Sequence, residues 1–179
     1  MRSPIVAIQT HADHYRLVAE QWFPQPIQHV FPFFSDASNL ELVTPAWLGF
    51  HILTPLPVQM RQGLRLDYKI SIHGVPLTWQ TEIEVWEPQR RFVDVQRRGP
   101  YKLWRHEHSF VERDGGTAMT DTVDYDVPFG AVTQFLVVKR DLLEIFGFRQ
   151  RVLRSLFDGP SEHSGRHGLK TSPESSSVS

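Results

Sequence analysis

The feature that most constrains the fold is a series of strand patterns between residues 64 and 127, each separated from the next by a turn signal. Apolar and polar residues alternate over 64–72, which is typical of a strand with one dry face and one wet face. The turn signals are His73-Gly74-Val75-Pro76, Pro88-Gln89-Arg90, Gly99-Pro100 and Asp114-Gly115-Gly116. The pattern predicts an antiparallel meander of hairpins with strands over 64–72, 77–87, 91–97, 101–112 and 117–127.

The segment before the meander adds one strand and two short helices. Alternation over residues 15–23 predicts the strand. Helical spacing of apolar residues predicts a first helix over 26–34, with Pro32 kinking it or ending it early. Ser35 or Asp36 can cap a second helix, because short polar side chains accept hydrogen bonds from the first free N–H groups.

A long amphipathic helix is expected after the meander. Apolar residues between 132 and 156 lie mostly on one helical stripe, and the charged residues, Arg149 among them, lie largely opposite. About 25 residues at 1.5 Å each give a helix of about 40 Å, enough to cross the sheet. Glycine costs about 1 kcal/mol relative to alanine inside a helix, so Gly147 predicts a bend or a close approach to another backbone.

These elements predict an α+β domain in which a curved antiparallel sheet wraps around the long C-terminal helix. The helix is the available cover for the sheet, and a space between the two is where a small ligand can bind. We expect one domain over residues 15–157. Residues 1–14 are expected to form a loose N-terminal arm, and residues 158–179 a disordered, serine-rich tail.

Charge and cysteine content exclude several classes of function. Nineteen Lys and Arg residues against 20 Asp and Glu residues give a formal charge of -1, which does not favour nucleic acid or an anionic membrane surface. The absence of cysteine excludes disulfides, a thiolate nucleophile and a cysteine zinc site. No stretch approaches the roughly 20 apolar residues of a membrane span, and the N-terminus lacks the core of a signal peptide.

We therefore expect a cytoplasmic protein whose partner is a small neutral or weakly charged molecule, with no nucleic acid, no membrane span and no cofactor. A homodimer stays open at this point. The meander has a long sheet edge, and strict alternation places Trp86 on the outward face of its strand.

Two histidines between two aromatic residues form an unusual strand face. Successive side chains of a strand point to opposite sides, so Trp104, His106, His108 and Phe110 share one side. If that side is the inner one, it holds titratable groups within an apolar surround. Such an environment is the usual chemical signature of a functional site.

The turns predict which carboxylates lie beside these histidines. In the register that the Gly99-Pro100 turn implies, Asp94 lies opposite His106, and in the register of the next hairpin Asp121 lies opposite His108. Directly opposed residues have Cβ atoms about 4.5–5.5 Å apart, which allows Asp–His hydrogen bonds. A slip of one residue would separate the pairs.

Three interpretations of this polar cluster are open. As catalytic residues, Asp94 and Asp121 would fix the tautomer and raise the pKa of His106 and His108, which then act as general acid or base. As structural residues, they would be satisfied polar pairs of the core. As ligands, they could bind one ion, although we expect no metal. Candidate ligand-binding residues, for which plain core packing is the alternative, are Tyr68, Trp79, Gln96, Trp104, Tyr125 and Phe146.

Several strings of the sequence resemble the START-like, or SRPBCC, superfamily of helix-grip proteins, which includes polyketide cyclases/dehydrases and lipid-transfer domains. The strings lie at residues 30–40, 42–50, 92–96, 99–101, 104–110, 121–125 and 128–130. The resemblance covers about residues 15–157 and looks closest to a bacterial cyclase/dehydrase-like branch. It implies a helix-grip (START/Bet v 1-like) fold with a hydrophobic molecule bound or transformed in the cavity under the C-terminal helix.

Three functions are compatible with these observations. The leading one is binding or transport of a hydrophobic or aromatic small molecule in the cavity between sheet and helix. The second is a cyclase- or dehydratase-like enzyme that uses the Asp–His pairs as general acid and base, and the third is a protein-interaction module with no ligand. An open cavity with His106 and His108 on its wall would favour the first two.

Overall fold

The computed structural model describes residues 5–128 and 137–158. Within these ranges the chain forms eight strands and two α-helices. The strands are β1 Ile5–Thr10, β2 Tyr15–Phe23, β3 His51–Ile52, β4 Arg65–Ile72, β5 Val75–Glu87, β6 Arg91–Arg98, β7 Leu103–Arg113 and β8 Gly116–Asp126. The helices are α1 Ile27–Phe34 and α2 Lys139–Phe157, and two 3₁₀ helices span Ala37–Leu40 and Ala46–Leu48.

All eight strands belong to one antiparallel sheet with the order β1-β2-β8-β7-β6-β5-β4-β3. Strands β4 to β8 form the predicted meander, and β2 returns to pair with β8, the last strand of the meander. The α1 helix and the 3₁₀ helices lie between β2 and β3 in the chain. This arrangement confirms the predicted α+β helix-grip fold, a curved sheet with a long C-terminal helix.

Two clusters of apolar side chains hold the helices against the sheet. The first joins α1 and the end of α2 to the sheet through Phe23, Val30, Phe31, Phe34, Phe92, Phe110 and Leu153. The second joins the start of α2 to β2 and β8 through Leu17, Ala19, Val123, Tyr125, Leu142 and Phe146. Each cluster contacts one of the two histidines, since Phe92 stacks on His108 and Phe146 meets His106 edge to face.

The N-terminal residues contain a strand that the sequence did not predict. Residues 5–10 pair with residues 15–20 of β2, so the prediction of a loose arm was wrong for this part of 1–14. Val6 and Ile8 also pack on the second apolar cluster. The strand escaped prediction because Ile5 to Ile8 are consecutive apolar residues without alternation. The domain boundaries remain a prediction, and residues 159–179 of the expected tail lie outside the described residues.

The α2 helix is shorter than the predicted helix of about 25 residues, with 19 residues from Lys139 to Phe157. Part of the predicted helix falls on residues 129–136, which lie outside the described residues. The prediction of a close backbone approach at Gly147 was wrong, because a Cβ atom there would meet only Arg151 Nη1, at 3.6 Å. Within the described ranges no helix has the length and apolar character that a membrane crossing requires.

A β-bulge in β5 reverses the predicted orientation of Trp86. The pairing of β5 with β6 shifts between Ile83 and Val85, and Trp86 consequently lies opposite Phe92. The Trp86 ring packs on Phe31 and Phe92, with ring centroids 5.5 Å and 5.6 Å apart. Placing Trp86 on the outward face was therefore wrong, because strict alternation does not allow for the extra residue, and Trp86 no longer supports a homodimer.

Candidate functional site

A cavity of about 200 Å³ lies between the sheet and α2. Most of its wall is apolar and comes from α1, the 3₁₀ helices, the meander and α2. Apolar members of the wall include Phe34, Leu48, Leu66, Ile70, Ile145 and Phe146. The charged and titratable members beside the meander's centre are Asp94, His106, His108 and Arg149. Asp36, Asn39 and Thr44 add polar groups elsewhere on the wall, so the cavity combines a largely apolar wall with a cluster of charged and titratable residues at the centre of the meander.

The structure brings most of the predicted site residues together on this wall. Those that line the cavity are Asp94, His106, His108, Tyr68, Trp79, Trp104 and Phe146. Asp121 contacts both histidines from outside the lining. Gln96 instead holds the β6–β7 turn, since its Nε2 donates to the Tyr101 carbonyl over 2.7 Å. Tyr125 is fully buried and packs against other aromatic rings.

The register of the central strands is the one that the turns predict. Asp94 pairs with His106 between β6 and β7, and His108 pairs with Asp121 between β7 and β8. The four side chains meet on the face that carries α2, and all are at most 16% exposed. Alternation along each strand thus gathers two carboxylates and two imidazoles at one place.

One oxygen atom of each carboxylate lies against both imidazoles. Asp121 Oδ1 is 2.7 Å from His108 Nδ1 and 3.0 Å from His106 Nε2. Asp94 Oδ1 is 3.2 Å from His108 Nε2 and 3.6 Å from His106 Nδ1. The centroids of the two imidazole rings are 3.8 Å apart. The cluster is thus a closed arrangement in which one contact, at 3.6 Å, is longer than a hydrogen bond.

These distances indicate one imidazolium beside one neutral imidazole. Both His108 nitrogens lie within hydrogen-bond distance of a carboxylate, which fits a doubly protonated ring. Burial opposes the charge on His108, but the Asp121 carboxylate and hydrogen bonds to both acids outweigh it and raise the pKa of His108. Burial, together with the neighbouring His108, lowers the pKa of His106, which fits a neutral ring that donates only from Nε2.

Both carboxylates are ionised in this arrangement. Burial opposes ionisation of Asp121, but Arg149 and the two histidines hold its pKa well below the ordinary value. Burial acts on Asp94 in the same way, but the hydrogen bond from His108, with the positive charges of His108 and Arg149, lowers its pKa. Because unpaired buried charge is strongly unfavourable, each acid depends on the cations beside it.

Arg149 completes the cluster and was not predicted. Its side chain is only 11% exposed, and its Nε lies 3.7 Å from Asp121 Oδ2. Its Nη2 lies 3.5 Å from His108 Nδ1, and its guanidinium lies 5.7 Å from the centre of the Phe34 ring. Two carboxylates, one imidazolium and one guanidinium give the cluster no net charge. The available signal was helical spacing, since Arg149 follows Phe146 of the buried stripe by three positions.

The same residues can be tested as a metal site. Ligand atoms of Asp94, His106 and His108 all lie within 4.8 Å of one another. Imidazole binds a metal ion only when it has lost its proton, whereas His108 is held in its charged form. The adjacent guanidinium of Arg149 adds repulsion to any cation placed there. These residues therefore fit a resident metal poorly.

Aromatic and hydroxyl groups extend the polar part of the wall. Thr81 Oγ1 donates to Asp94 Oδ2 over 3.3 Å. Burial and the nearby Asp94 raise the pKa of Tyr68, so its phenol stays protonated. The Trp79 ring stacks on Tyr68 and meets Trp104 edge to face, with centroids 5.9 Å and 5.2 Å apart. These three rings therefore form an aromatic part of the cavity wall.

A separate polar pair ties the sheet to α2. His73 in the β4–β5 turn and Asp141 in the first turn of α2 are joined by a contact of 2.7 Å between His73 Nε2 and Asp141 Oδ2. Nine residues further along the helix, Gln150 Nε2 donates to the carbonyls of Ile5 and Glu20 over 3.3 Å and 3.1 Å. The helix segment over the cavity lies between these two attachments.

A comparison of the sequence with models of protein families finds a match over most of the domain. A family model described as "Polyketide cyclase / dehydrase and lipid transport" matches residues 23–141. The matched range contains both carboxylates and both histidines but ends before Arg149. Among proteins with curated descriptions, none matches the chain.

Solved structures share the fold at low sequence identity. Protein Ms6760 from Mycobacterium smegmatis is 18% identical with a TM-score of 0.62, and the match covers 86% of this chain and 98% of that one. A protein from Arthrobacter aurescens is 12% identical with a TM-score of 0.64, covering 90% and 98% of the two chains. Ara h 8.0201 is 15% identical with a TM-score of 0.54, covering 78% and 98%. At such identities the likeness concerns the fold alone.

Proposed function

Because the chain belongs to the polyketide cyclase/dehydrase and lipid transport family, we propose that it binds a hydrophobic or aromatic small molecule in the cavity between the sheet and α2. The observation that carries this proposal is the cavity itself, with its largely apolar wall and a few polar and charged side chains. Pockets for small molecules commonly have this composition, because apolar contacts supply affinity and a few polar groups fix the orientation.

The size of the cavity limits the ligand. An engineered protein cavity of about 150 Å³ accepts benzene, so a cavity of about 200 Å³ suits a substituted single ring or a short aliphatic molecule. It lies below the roughly 300–1,000 Å³ of pockets that hold drug-sized compounds. A larger lipid would need α2 to move away from the sheet.

Filling the cavity with a side chain tests the proposal. Ile70 is 7% exposed and lines the cavity, so Ile70→Trp should occupy the ligand volume, and Leu66→Phe should do so in part. Val111 on β7 is 60% exposed, and Val111→Trp is the matched control. Small molecules that co-purify with each protein would be identified by native mass spectrometry, with folding checked by circular dichroism.

We expect the wild type and Val111→Trp to carry the same ligand and Ile70→Trp to carry none. Leu66→Phe should retain less ligand than the wild type, and because it adds less volume it remains informative if Ile70→Trp folds poorly. Full ligand occupancy in both folded cavity variants would place the ligand elsewhere and overturn the proposal.

A second candidate function is favoured by the opposite protonation of the two histidines. A cyclase- or dehydratase-like reaction needs one group that accepts a proton and one that donates it. Neighbouring titratable groups whose environments move their pKa values apart suit these roles, with neutral His106 as base and charged His108 as acid.

The substitutions His106→Gln and His108→Gln distinguish ligand binding from catalysis. Retained ligand with lost turnover supports catalysis, whereas lower stability without any loss of turnover supports a structural role.

A further inference from the structure

Asp94 is the most accessible member of the charged cluster on the cavity wall. Its side chain is 16% exposed, compared with 5–7% for the two histidines and Asp121 and 11% for Arg149. Asp94 lines the cavity, on the face of the sheet that carries α2. An aspartate side chain ends in its carboxylate, one methylene from the backbone, so its accessible surface belongs largely to a hydrogen-bond acceptor. The cavity therefore meets a carboxylate on this wall.

Asp94 is also the less well satisfied of the two carboxylates in the cluster. Asp121 Oδ1 lies 2.7 Å from His108 Nδ1, whereas Asp94 Oδ1 lies 3.2 Å from His108 Nε2. Charge-assisted hydrogen bonds are usually about 2.7–2.9 Å long, so the Asp94 contact is a weak one. The neutral His106 donates from Nε2 to Asp121 and presents the lone pair of Nδ1 to Asp94 at 3.6 Å, which adds no hydrogen bond.

The second oxygen of Asp94 receives a shared hydrogen bond. Thr81 Oγ1 lies 3.3 Å from Asp94 Oδ2 and 3.4 Å from the Val95 carbonyl oxygen, and its single proton can serve only one of them fully. Among residues 5–128 and 137–158, hydrogen bonds to the Asp94 carboxylate come from His108 and Thr81. An ionised carboxylate has about four acceptor positions, so Asp94 can accept a further donor from the cavity.

The polar side chains elsewhere on the wall are used locally. Asp36, Asn39 and Thr44 each form hydrogen bonds within residues 33–44, which hold the first 3₁₀ helix and its flanks. Asp36 is also exposed to solvent, so water can satisfy the rest of its carboxylate. Asp94 differs because its accessible surface lies on the cavity wall.

Charge balance limits what the donor can be. Asp94, Asp121, His108 and Arg149 sum to no net charge and are largely shielded from water. A cationic ligand would add a buried positive charge beside Arg149 and His108, and an anionic one would lie against the Asp94 carboxylate. An uncharged hydroxyl group adds no net charge and forms a strong hydrogen bond with a carboxylate.

Aromatic side chains lie beside Asp94. Asp94 pairs with His106 across β6 and β7, and Trp104 lies two residues before His106 on the same face. Diagonal neighbours of this kind lie roughly 7–8 Å apart, within the reach of one aromatic ring and its hydroxyl. Trp104 meets Trp79 edge to face on the cavity wall. A ring placed against these side chains can therefore bring its hydroxyl to Asp94.

We infer that the cavity takes an uncharged aromatic compound with a hydroxyl group, which donates a hydrogen bond to the Asp94 carboxylate. The inference rests on the proposed binding function and specifies its ligand class. The site then distinguishes ligands by whether they donate, because an ionised carboxylate only accepts. A compound that only accepts hydrogen bonds would set its lone pairs against those of Asp94.

Four single-ring probes test this ligand class on the full chain. They are 4-ethylphenol, which donates; 4-ethyltoluene, in which a methyl group replaces the hydroxyl; 4-ethylbenzaldehyde, which only accepts; and 4-ethylbenzylamine, which is a cation. Binding would be measured by isothermal titration calorimetry at about pH 7.5, where a simple phenol is uncharged. We expect the wild type to bind 4-ethylphenol most tightly.

Asp94→Asn keeps the shape of the side chain and removes its charge. Because a hydrogen bond to a charged acceptor is lost, it should weaken 4-ethylphenol roughly tenfold and leave 4-ethyltoluene nearly unchanged. The amide can donate, so 4-ethylbenzaldehyde should bind more tightly than it does to the wild type. Asp36→Asn and Thr81→Val are controls at other polar residues of the wall, and each should leave the preference for 4-ethylphenol in place.

A crystal structure of the wild type with 4-bromophenol locates the hydroxyl without any substitution, so it decides the assignment even if Asp94→Asn folds poorly. The anomalous scattering of bromine fixes the orientation of the ring. We expect the phenol oxygen to lie about 2.5–2.7 Å from an Asp94 oxygen. A phenol oxygen bonded to another residue would overturn the assignment to Asp94.

The outcomes separate this inference from the proposed function. Equal or tighter binding of 4-ethyltoluene or 4-ethylbenzaldehyde to the wild type would overturn the hydroxyl assignment and leave a general apolar cavity. An unchanged preference for 4-ethylphenol in Asp94→Asn would overturn the role of Asp94, and tighter binding of 4-ethylbenzylamine would overturn the assignment to an uncharged ligand. Failure of all four probes to bind the folded wild type would contradict cavity binding at this size, and with it both proposals.

Discussion

Asp121 is the residue on which the charge balance of the site depends. Its carboxylate contacts both imidazoles and Arg149, so it compensates positive charge on two different elements. His108 is charged because this carboxylate and Asp94 outweigh the effect of burial. Removing one acid therefore alters the protonation of the whole cluster.

These shifts determine how stability depends on pH. The pKa of His108 is raised, so its contribution is complete below about 6.5, the unfolded value, and is lost as pH rises through the folded value. The pKa of His106 is lowered, so its contribution is present above about 6.5 and is lost as pH falls through the folded value. The pKa values of Asp94 and Asp121 are lowered, so their contribution to stability is complete above about 3.9 and is lost as pH falls through the folded values. Stability should therefore peak at about pH 6.5, because the His106 contribution declines below that pH and the His108 contribution declines above it.

Asp121→Asn is expected to lower the free energy of unfolding by about 3–5 kcal/mol at pH 7, because Arg149 and His108 lose their shared carboxylate. The pKa of His108 should fall, and the loss of stability above pH 7 should flatten. Urea denaturation between about pH 4 and pH 9 measures both effects. Asp114→Asn, at a side chain that is 82% exposed, should change stability by less than about 0.5 kcal/mol. A similarly small change for Asp121→Asn would contradict a buried, ionised Asp121.

Sequence reasoning found the acids and histidines of the site but missed the arginine for a definite physical reason. The two-residue period of a strand and two short turns determine which side of the sheet carries Asp94, His106, His108 and Asp121. Both signals can be read from neighbouring residues of the sequence. Arg149 belongs to a helix whose rotation relative to the sheet depends on packing far along the chain. A charged residue near the edge of an apolar stripe can face either way until its partners are known.

At the level of elements, α2 contains a glycine that its surroundings do not require. A Cβ atom at Gly147 would make one ordinary contact, with Arg151 Nη1 at 3.6 Å. In β8 the situation is the opposite, because a Cβ atom at Gly116 would overlap the carbonyl of Phe23 and the ring of Trp22. The two glycines therefore offer a matched pair of substitutions.

Gly147→Ala is expected to stabilise the protein by about 1 kcal/mol, since alanine is the better helix former and no neighbour must move. Gly116→Ala should instead destabilise it by about 1–3 kcal/mol through overpacking against the β2 backbone. Thermal and urea denaturation would measure both changes. A loss of stability in Gly147→Ala would show that the glycine serves helix curvature or motion.

The β5 bulge shows where pattern reading fails within an otherwise regular element. Alternation correctly predicted which side of the sheet the β5 side chains occupy up to Ile83. The extra residue before Val85 then placed Trp86 on the opposite side from the predicted one. Nothing in the local pattern separates a bulge from a regular strand here, because a residue inserted in the pairing leaves no gap in the sequence. The first apolar cluster supplies the missing information, since Trp86 packs beside Phe31 and Phe92.

At the scale of the whole molecule, β1 is one edge strand of the sheet and covers the longer strand β2. It pairs with β2 over six residues and receives a hydrogen bond from Gln150 of α2. Without β1, the backbone groups of β2 would form an exposed edge that another chain could extend. The N-terminal strand, which the sequence did not predict, thus keeps the longer strand β2 from being the edge.

Deletion of residues 1–10 is expected to lower stability and to cause concentration-dependent self-association. Light scattering coupled to size-exclusion chromatography would detect the larger species. Val18 lies between the buried residues Leu17 and Ala19, so Val18→Lys should place a charge on the new edge and reduce this self-association. A truncated chain with the same oligomeric state and stability as the full chain would show that β1 contributes little.

Two polar attachments, at Asp141 and at Gln150, hold α2 to the sheet. Asp141 and Gln150 are about 14 Å apart along the helix axis, and Ile145, Phe146 and Arg149, which lie between them, line the cavity. The polar attachment at Asp141 is one side-chain pair, beside Leu142 of the second apolar cluster, whereas Gln150 joins the helix to the backbone of two strands. A ligand larger than the cavity would displace this helix segment and would therefore have to break the contact at Asp141 or the hydrogen bonds of Gln150.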